Sequence, residues 1–136
     1  MNLSEDEIRI VNGVKEYSSV FLENMGGFYP FAIGLQKNKQ IVSIGAYDGS
    51  EFPESQDLIN LLEKSIPKDI KEKKYILAAI CIDIFIHEKI EDIDTKKDAI
   101  EIRFVAPSYN KIVQLIYEFG ANKKVIFKNW NYPSSP

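Results

Sequence analysis

The spacing of apolar residues predicts a long first helix. In residues 5–24 apolar side chains recur every three or four positions, which places them on one helical face. Ser4 and Glu7 have the spacing of a capping box, in which each side chain hydrogen-bonds to the backbone amide of the other residue. Gly26 and Gly27 follow, and glycine readily adopts the left-handed conformation that ends a helix. We therefore expect a helix over residues 5–24.

A β-hairpin is predicted next, because apolar and polar residues begin to alternate. Residues 28–36 and 40–47 form two candidate strands, with the turn at Lys37 and Asn38, since asparagine tolerates a positive φ. Pro30 has no amide hydrogen to donate to a neighbouring strand. It is therefore expected at the start of a strand or at a sheet edge.

Residues 51–74 return to helical spacing of apolar side chains. Ser55 is the expected N-cap, and Pro67 is expected to break or restart the helix because proline fits best in a first turn. The result would be an interrupted helix between two groups of strands.

The second half of the chain predicts strands in succession. Residues 76–87 are apolar on both alternating faces at their start, which is typical of a central strand covered on both sides. Residues 88–97 are polar and acidic and are expected to form a loop, and residues 98–106 form the next strand. Residues 125–130 give a last short strand.

Residues 111–119 fit two structures. Ser108 before the segment and Gly120 after it resemble helix caps, and the apolar spacing suits a helix. The alternation suits a strand equally well, and the β-rich composition together with a turn-like segment at 107–110 favours the strand.

The predicted order is therefore α-β-β-α-β-β-β-β. Sequential strands joined by short turns indicate a mainly antiparallel sheet of about six strands with two helices, an α+β fold. Nothing repeats, and no linker is visible, so residues 1–136 are expected to form a single domain with residues 132–136 as a flexible tail.

Composition narrows the function. The chain is 45% hydrophobic with a net charge of −3, which is enough to fill one core but gives no general attraction to nucleic acid. Its basic residues are almost all lysine, whereas base recognition favours arginine. The longest apolar run, residues 76–82, is too short to span a bilayer, and the acidic N-terminus is unlike a secretory signal. We expect a cytoplasmic protein without nucleic-acid or membrane partners.

Metal and cofactor chemistry is poorly supported. The single cysteine and the single histidine exclude multi-cysteine and histidine-pair sites. The acidic segment 88–97 lacks the turn glycine of a calcium loop, and no glycine-rich phosphate motif is present. We expect no metal and no cofactor.

Two residues are candidates for catalysis. His87 could act as a general base near Asp83, or it could be an exposed residue at a strand end. Cys81 could be reactive, but no positive charge marks it as a thiolate, and core packing is the better interpretation. No nucleophile motif accompanies either residue, so an enzyme is less favoured than a binding protein.

Asp83 interrupts a hydrophobic strand and needs a partner if it is buried. If Ile84 lies opposite Ile102, then Asp83 faces Arg103 with Glu101 adjacent. That constellation could anchor a ligand, or it could be a cross-strand salt bridge.

Aromatic residues cluster around the first hairpin and again near the C-terminus. Tyrosine and tryptophan at loop margins are enriched in binding hot spots, although such residues also close the ends of a core. The first cluster comprises Phe28, Tyr29, Phe31, Tyr47 and Phe52, and the second comprises Trp130 and Tyr132. The candidate binding residues are Tyr29, Phe31, Tyr47, Asp83, Arg103 and Trp130.

Two segments carry a resemblance. Phe28-Tyr29-Pro30-Phe31 and the strand element Lys97-Asp98-Ala99-Ile100-Glu101-Ile102 resemble a group of small bacterial proteins without an assigned activity. Members of that group usually have glycine after the aromatic-Pro-Phe element, where this chain has Ala32. The resemblance implies a stand-alone bacterial α+β domain, with an immunity protein that neutralises a toxin as one version of it.

Three hypotheses follow. The first is a non-catalytic protein-binding domain, with an immunity-type inhibitor as its most concrete form. Residues 1–63 hold ten acidic and four basic side chains, and acidic inhibitors approach basic toxins faster. The second is a ligand-binding or enzymatic domain with a pocket between sheet and helices lined by Tyr29, Tyr47, Asp83 and Arg103. The third is a homodimer formed through a sheet edge or an aromatic face.

Overall fold

The structure, a computed structural model, describes residues 3–106 and 109–131, with the backbone alone at 109 and 110. The predicted tail at 132–136 and the candidate aromatic Tyr132 lie outside these residues. The element order matches the prediction, and residues 111–119 lie in a strand. The elements are α1 (Glu5–Met25), β1 (Phe31–Leu35), β2 (Ile41–Ile44), α2 (Ser55–Lys71), β3 (Leu77–Ile90), β4 (Ile93–Ala106), β5 (Tyr109–Phe119) and β6 (Val125–Asn131).

All six strands form one antiparallel sheet in the order β2-β1-β3-β4-β5-β6. The first hairpin supplies β2 and β1, and the meander β3 to β6 follows after α2. The central position of β3 explains why its first residues are apolar on both faces. The α+β prediction is confirmed.

The two helices lie on opposite faces of the sheet. Helix α1 covers a core that includes Ile33, Cys81 and Ile102, whereas α2 covers a smaller core that includes Ala32 and Ile80. Helix α1 contacts β2 near one edge and β6 at the other, so the sheet curls around it. Helix α2 packs on β1, β3 and β4. The outer face of β5 and β6 therefore lies beside α2 rather than beneath it.

The predicted capping box begins α1. The Ser4 hydroxyl accepts from the Glu7 amide at 3.1 Å, and the Glu7 carboxylate accepts from the Ser4 amide at 2.7 Å. Gly26 ends the helix in the left-handed conformation, with φ 78°. Glu7 is buried and also pairs with Lys111 on β5 at 3.1 Å.

Two predictions about α2 were wrong. Its N-cap is Glu54 rather than Ser55, and no side chain caps the helix start. Pro67 lies inside the helix and does not break it. Ile66 and Ile70 flank this proline and are both buried against the sheet. Their packing offsets the hydrogen bond that proline cannot make.

The first hairpin is shorter than predicted, and its turn differs in detail. The residue with positive φ is Lys39, at 70°, rather than Asn38. The Asn38 side chain instead accepts a hydrogen bond from the Gln40 amide at 3.0 Å. An asparagine side chain that bonds two residues onward stabilises a turn without itself adopting positive φ.

The predicted acidic loop at 88–97 was wrong, because the segment forms the turn and the adjoining strand ends of a long β-hairpin. Glu91 and Asp92 both have positive φ, at 52° and 63°, as a two-residue type I′ turn requires. Glu88 and Lys97 join the two strands by an ion pair at 2.7 Å. Strand β1 pairs with β3 only up to Cys81, and β4 pairs with β5 only from Ala99 onward, so residues 84–97 extend past both of these pairings. We call residues 84–97 the arm.

Candidate protein-binding surface

Exposed aromatic side chains gather at one end of the molecule. Helix α1, β2 and β5 end there, β1 begins there, and the arm projects from it. Within residues 3–106 and 111–131 every exposed aromatic side chain belongs to this end. We call the set the aromatic end; its members are Tyr29, Tyr47, Phe52, Phe85 and Phe119.

The strand register explains how the hairpin supplies two of these residues. Ala32 of β1 lies opposite Ile44 of β2, so both strands terminate at the same level. Tyr29 precedes β1 and Tyr47 follows β2, and they are 53% and 78% exposed. Of the aromatic residues predicted to bind, these two are solvent-exposed.

The connection from β2 to α2 adds acidic charge to the aromatic end. We call residues 45–54 the aromatic–acidic loop. Phe52 in this loop is 79% exposed. Local hydrogen bonds shape the loop: the Asp48 carboxylate accepts from the Ser50 amide at 2.9 Å, and the Ser50 hydroxyl accepts from the Phe52 amide at 3.2 Å. Residues 45–54 contain no lysine or arginine and have three acidic residues, Asp48, Glu51 and Glu54, while Asp57 and Lys64 follow on α2.

A shallow depression lies between this loop and the first turns of α2. Its volume is about 520 Å³, and Tyr47, Asp57 and Leu61 are among its lining residues. It is open to solvent and lined by mixed polar and apolar atoms. Its shape suits a protruding side chain of a partner better than an enclosed small molecule.

Asp83 forms its main contact with Tyr117, not with Arg103. The Tyr117 hydroxyl donates to the Asp83 carboxylate at 2.6 Å. The pKa of Asp83 is raised, and burial is the largest cause. The nearby Asp98 carboxylate also raises this pKa, whereas the hydrogen bonds from the Tyr117 hydroxyl and the Phe28 amide lower it. Burial also raises the pKa of Tyr117, and the Asp83 carboxylate adds to that shift. The pair links β5 and β3 to the connection that carries Tyr29.

The predicted pairing of Asp83 with Arg103 was wrong because the register differs by three residues. Ile84 lies opposite Ala99 rather than Ile102. Asp83 therefore points to the α1 face and Arg103 to the α2 face. The ligand-binding hypothesis requires Tyr29, Tyr47, Asp83 and Arg103 to line one pocket. Because Asp83 and Arg103 lie on opposite faces of the sheet, the four residues do not line one pocket.

Arg103 belongs to a chain of polar side chains on the outer face of β4, β5 and β6. It contacts Glu101 at 2.8 Å and Glu63 of α2 at 2.9 Å. Gln114 donates to Glu101 at 3.0 Å and accepts from Asn131 at 2.6 Å. The Arg103 guanidinium is already paired with two carboxylates, which indicates a structural role for Arg103. Sequence reasoning identified Glu101 but missed the other three residues, because only the register brings them together.

Two predicted binding residues are not among the exposed side chains of the aromatic end. Phe31 is 5% exposed and packs edge-to-face against Phe21 and Phe28. Trp130 is partly buried against the α1 core and lies opposite Leu115. Conversely, sequence reasoning missed the exposure of Phe85 and Phe119, which depends on how far the sheet covers each strand.

The two candidate catalytic side chains, His87 and Cys81, lie in different surroundings. His87 is exposed on the arm, with Nδ1 3.4 Å from an Asp94 oxygen. Cys81 is fully buried, and burial raises the pKa of its thiol. Among residues 3–106 and 109–131 no three histidine, cysteine or carboxylate side chains cluster as metal ligands would. Neither helix in the described part of the chain is long and apolar enough to cross a membrane.

Comparison of the chain with models of known protein families, with curated proteins and with solved structures found no match.

Proposed function

We propose that this chain is a non-catalytic domain that binds another protein through its aromatic end. The observation that carries the proposal is that the acidic loop at this end holds two strongly exposed aromatic side chains. Phe52 and Tyr47 are nearly four-fifths exposed, at 79% and 78%, although burial of such rings is strongly favourable. Large apolar groups kept together at a surface are typical of an interaction site.

The chemistry of these residues suits protein recognition. Tyrosine and phenylalanine offer large, rigid contact areas and lose little conformational entropy on binding. Aromatic side chains are also enriched at the energetic centres of interfaces. The loop that carries Tyr47 and Phe52 is shaped by its own hydrogen bonds, which lowers the ordering cost of binding.

The charge of the aromatic–acidic loop favours a basic partner. Residues 45–54 contribute three acidic side chains and no basic ones. Complementary charge accelerates encounter and disfavours acidic partners. An immunity-type inhibitor of a basic toxin in the bacterial cytoplasm is the most concrete form of the proposal, in keeping with the resemblance of residues 28–31 and 97–102.

Affinity capture from bacterial cells that carry the native gene tests this proposal. The bait is the tagged chain, compared with the double variant Tyr47→Ala/Phe52→Ala. A matched control, Ile8→Ala/Val20→Ala, truncates two exposed apolar residues of α1, which are 47% and 56% exposed. We expect one basic protein to be retained by the wild type and the control and lost from the loop variant.

Two results would contradict the proposal. One is that no protein is retained by the wild type. The other is that a retained protein binds the loop variant as well as it binds the wild type. Circular dichroism of each variant checks that the fold is intact, which is expected because the substituted residues are exposed.

A further inference from the structure

One edge of β3 is left without a neighbouring strand. Strand β3 spans Leu77–Ile90, but β1 pairs with it only over Leu77–Cys81. In the described part of the chain no strand lies beside residues 84–90 on that side. Alternate backbone amide and carbonyl groups of these residues therefore point outward and can accept an added strand.

This edge has few of the features that normally prevent strand addition. Residues 84–90 contain no proline, and the pairing with β4 runs from Ala78 to Ile90 without a bulge. Exposed strand edges are usually protected by prolines, bulges or charged side chains. Two of the three polar residues here have cross-strand partners, since Glu88 pairs with Lys97 and His87 lies near Asp94, and Lys89 is the third.

The topology places this edge next to the surface of the proposed function. Strand β1 begins at Phe31, opposite Cys81, so the free edge of β3 starts just beyond the beginning of β1. The connection that carries Tyr29 leads into β1 at this point. The aromatic–acidic loop leaves the adjacent strand, β2, at the same level. A strand added to β3 would thus run toward Tyr29, with acidic side chains close by.

We propose that the partner of this domain contributes an extended basic strand that adds to the free edge of β3. Strand addition at an exposed edge is a recurrent mode of peptide recognition, in which backbone hydrogen bonds give affinity and side chains give specificity. The added strand carries lysine or arginine toward the aromatic–acidic loop, and alternate apolar residues contact the side chains of the arm. These include Phe85 on one face and Ile86 on the other.

The charge of the surface argues against a second copy of this chain as the occupant. Two copies joined at this edge would bring their aromatic–acidic loops toward each other, and neither loop holds a basic residue. A basic segment of another protein would be attracted to these loops, whereas an acidic second copy would not. The inference rests on the proposed function, because it names the segment that the aromatic end would recognise.

An arm-shortened variant tests the inference. Deleting residues 86–89 and 94–97 removes four matched pairs and joins Phe85 to Ile90 and Ile93 to Asp98. The pairs Phe85–Asp98 and Ile90–Ile93 are kept, together with the turn between them. An even number of residues leaves each strand, so every remaining side chain keeps its face of the sheet. The control Glu91→Asn/Asp92→Gly keeps the edge and favours the same type of turn.

The probe is a phage-displayed library of random 12-residue peptides, selected on the immobilised wild-type chain. We expect enriched peptides in which basic and apolar residues alternate. Synthetic copies should bind the arm-shortened variant and the Tyr47→Ala/Phe52→Ala variant more weakly by about tenfold or more, and the turn control within about twofold. Hydrogen exchange should show the outward-pointing amides among residues 84–90 protected on binding.

Other outcomes overturn the inference. Peptides that bind the arm-shortened variant fully but need Tyr47 and Phe52 would refute strand addition and leave the proposed function standing. The absence of any enriched peptide, or enrichment of acidic ones, would also refute it, and the capture experiment would then decide the proposed function separately. A dimer that arm shortening converts to a monomer in sedimentation would make a second copy the occupant instead.

Discussion

Replacing Tyr117 with phenylalanine isolates the contribution of one hydroxyl group. The ring of Tyr117 is 3% exposed and would remain packed, so the substitution removes only the hydrogen bond to Asp83. That bond is short, 2.6 Å between the two oxygens, and its acceptor is a carboxylate. Hydrogen bonds to charged groups contribute about 1.5–3 kcal/mol to stability, more than those between neutral groups.

For the hydrogen bond between Tyr117 and Asp83 we expect a contribution at the lower end of that range. Its side chain is only partly buried, so water can replace some of the lost interaction, and the Phe28 amide still stabilises the charge. We expect Tyr117→Phe to lower the free energy of unfolding by about 1.5 kcal/mol. With a urea m-value of about 2 kcal/mol/M, the midpoint of denaturation would fall by about 0.7 M.

The assay is equilibrium urea denaturation at pH 7, followed by circular dichroism, for four proteins in a double-mutant cycle. They are the wild type, Tyr117→Phe, Asp83→Asn and the double variant. Removing the hydroxyl should cost less when residue 83 is asparagine, because the acceptor is then neutral. A loss under about 0.3 kcal/mol for Tyr117→Phe, or an equal loss in both backgrounds, would refute the reasoning.

Three further predictions concern pH, charge and the helix proline. Burial raises the pKa of Asp83 in the folded state, so its contribution to stability is full below its ordinary pKa and is lost as the pH rises through the folded value. The stability of the wild type relative to Asp83→Asn should therefore fall across that interval, and a pH-independent difference in urea titrations would count against it. In the aromatic–acidic loop, the triple variant Asp48→Asn/Glu51→Gln/Glu54→Gln should slow association with the captured partner by about tenfold at low salt and less at high salt, measured by surface plasmon resonance. The control is the triple variant Glu5→Gln/Glu16→Gln/Glu72→Gln, which removes three exposed acids elsewhere. If this control slows association equally, only the net charge of the protein matters. Finally, Pro67→Ala should raise the free energy of unfolding by about 1 kcal/mol, because it restores an amide donor within α2; a lower denaturation midpoint for this variant would contradict that account.

Features that depend on local chemistry were predictable from the sequence. The start of α1 followed from Ser4 and Glu7, and its end at Met25 lies one residue beyond the prediction because Gly26 provides the left-handed cap. The central position of β3 followed from its two apolar faces. Each of these features depends on residues that are neighbours in the chain, so no knowledge of the tertiary structure was needed.

Features that depend on strand register were not predictable. The turn at Glu91 and Asp92 has no glycine or asparagine, which are the usual signals of a type I′ turn. Without that turn, residues 88–97 read as a loop, and the register that would pair Asp83 with Arg103 remained open. The exposure of Phe85 has the same origin, because it lies on the arm that the missed turn creates.

The contact between Glu7 and Lys111 has a consequence for how the chain assembles. The Glu7 carboxylate accepts a hydrogen bond from the Ser4 amide at the start of α1. It also accepts one from Lys111, which lies more than a hundred positions later in the chain. During synthesis α1 leaves the ribosome before β5 is made. The Glu7 carboxylate therefore stays hydrated until β5 has formed and Lys111 can pair with it. Contacts between such distant segments slow folding, and docking of this helix is therefore expected among the last events to be completed.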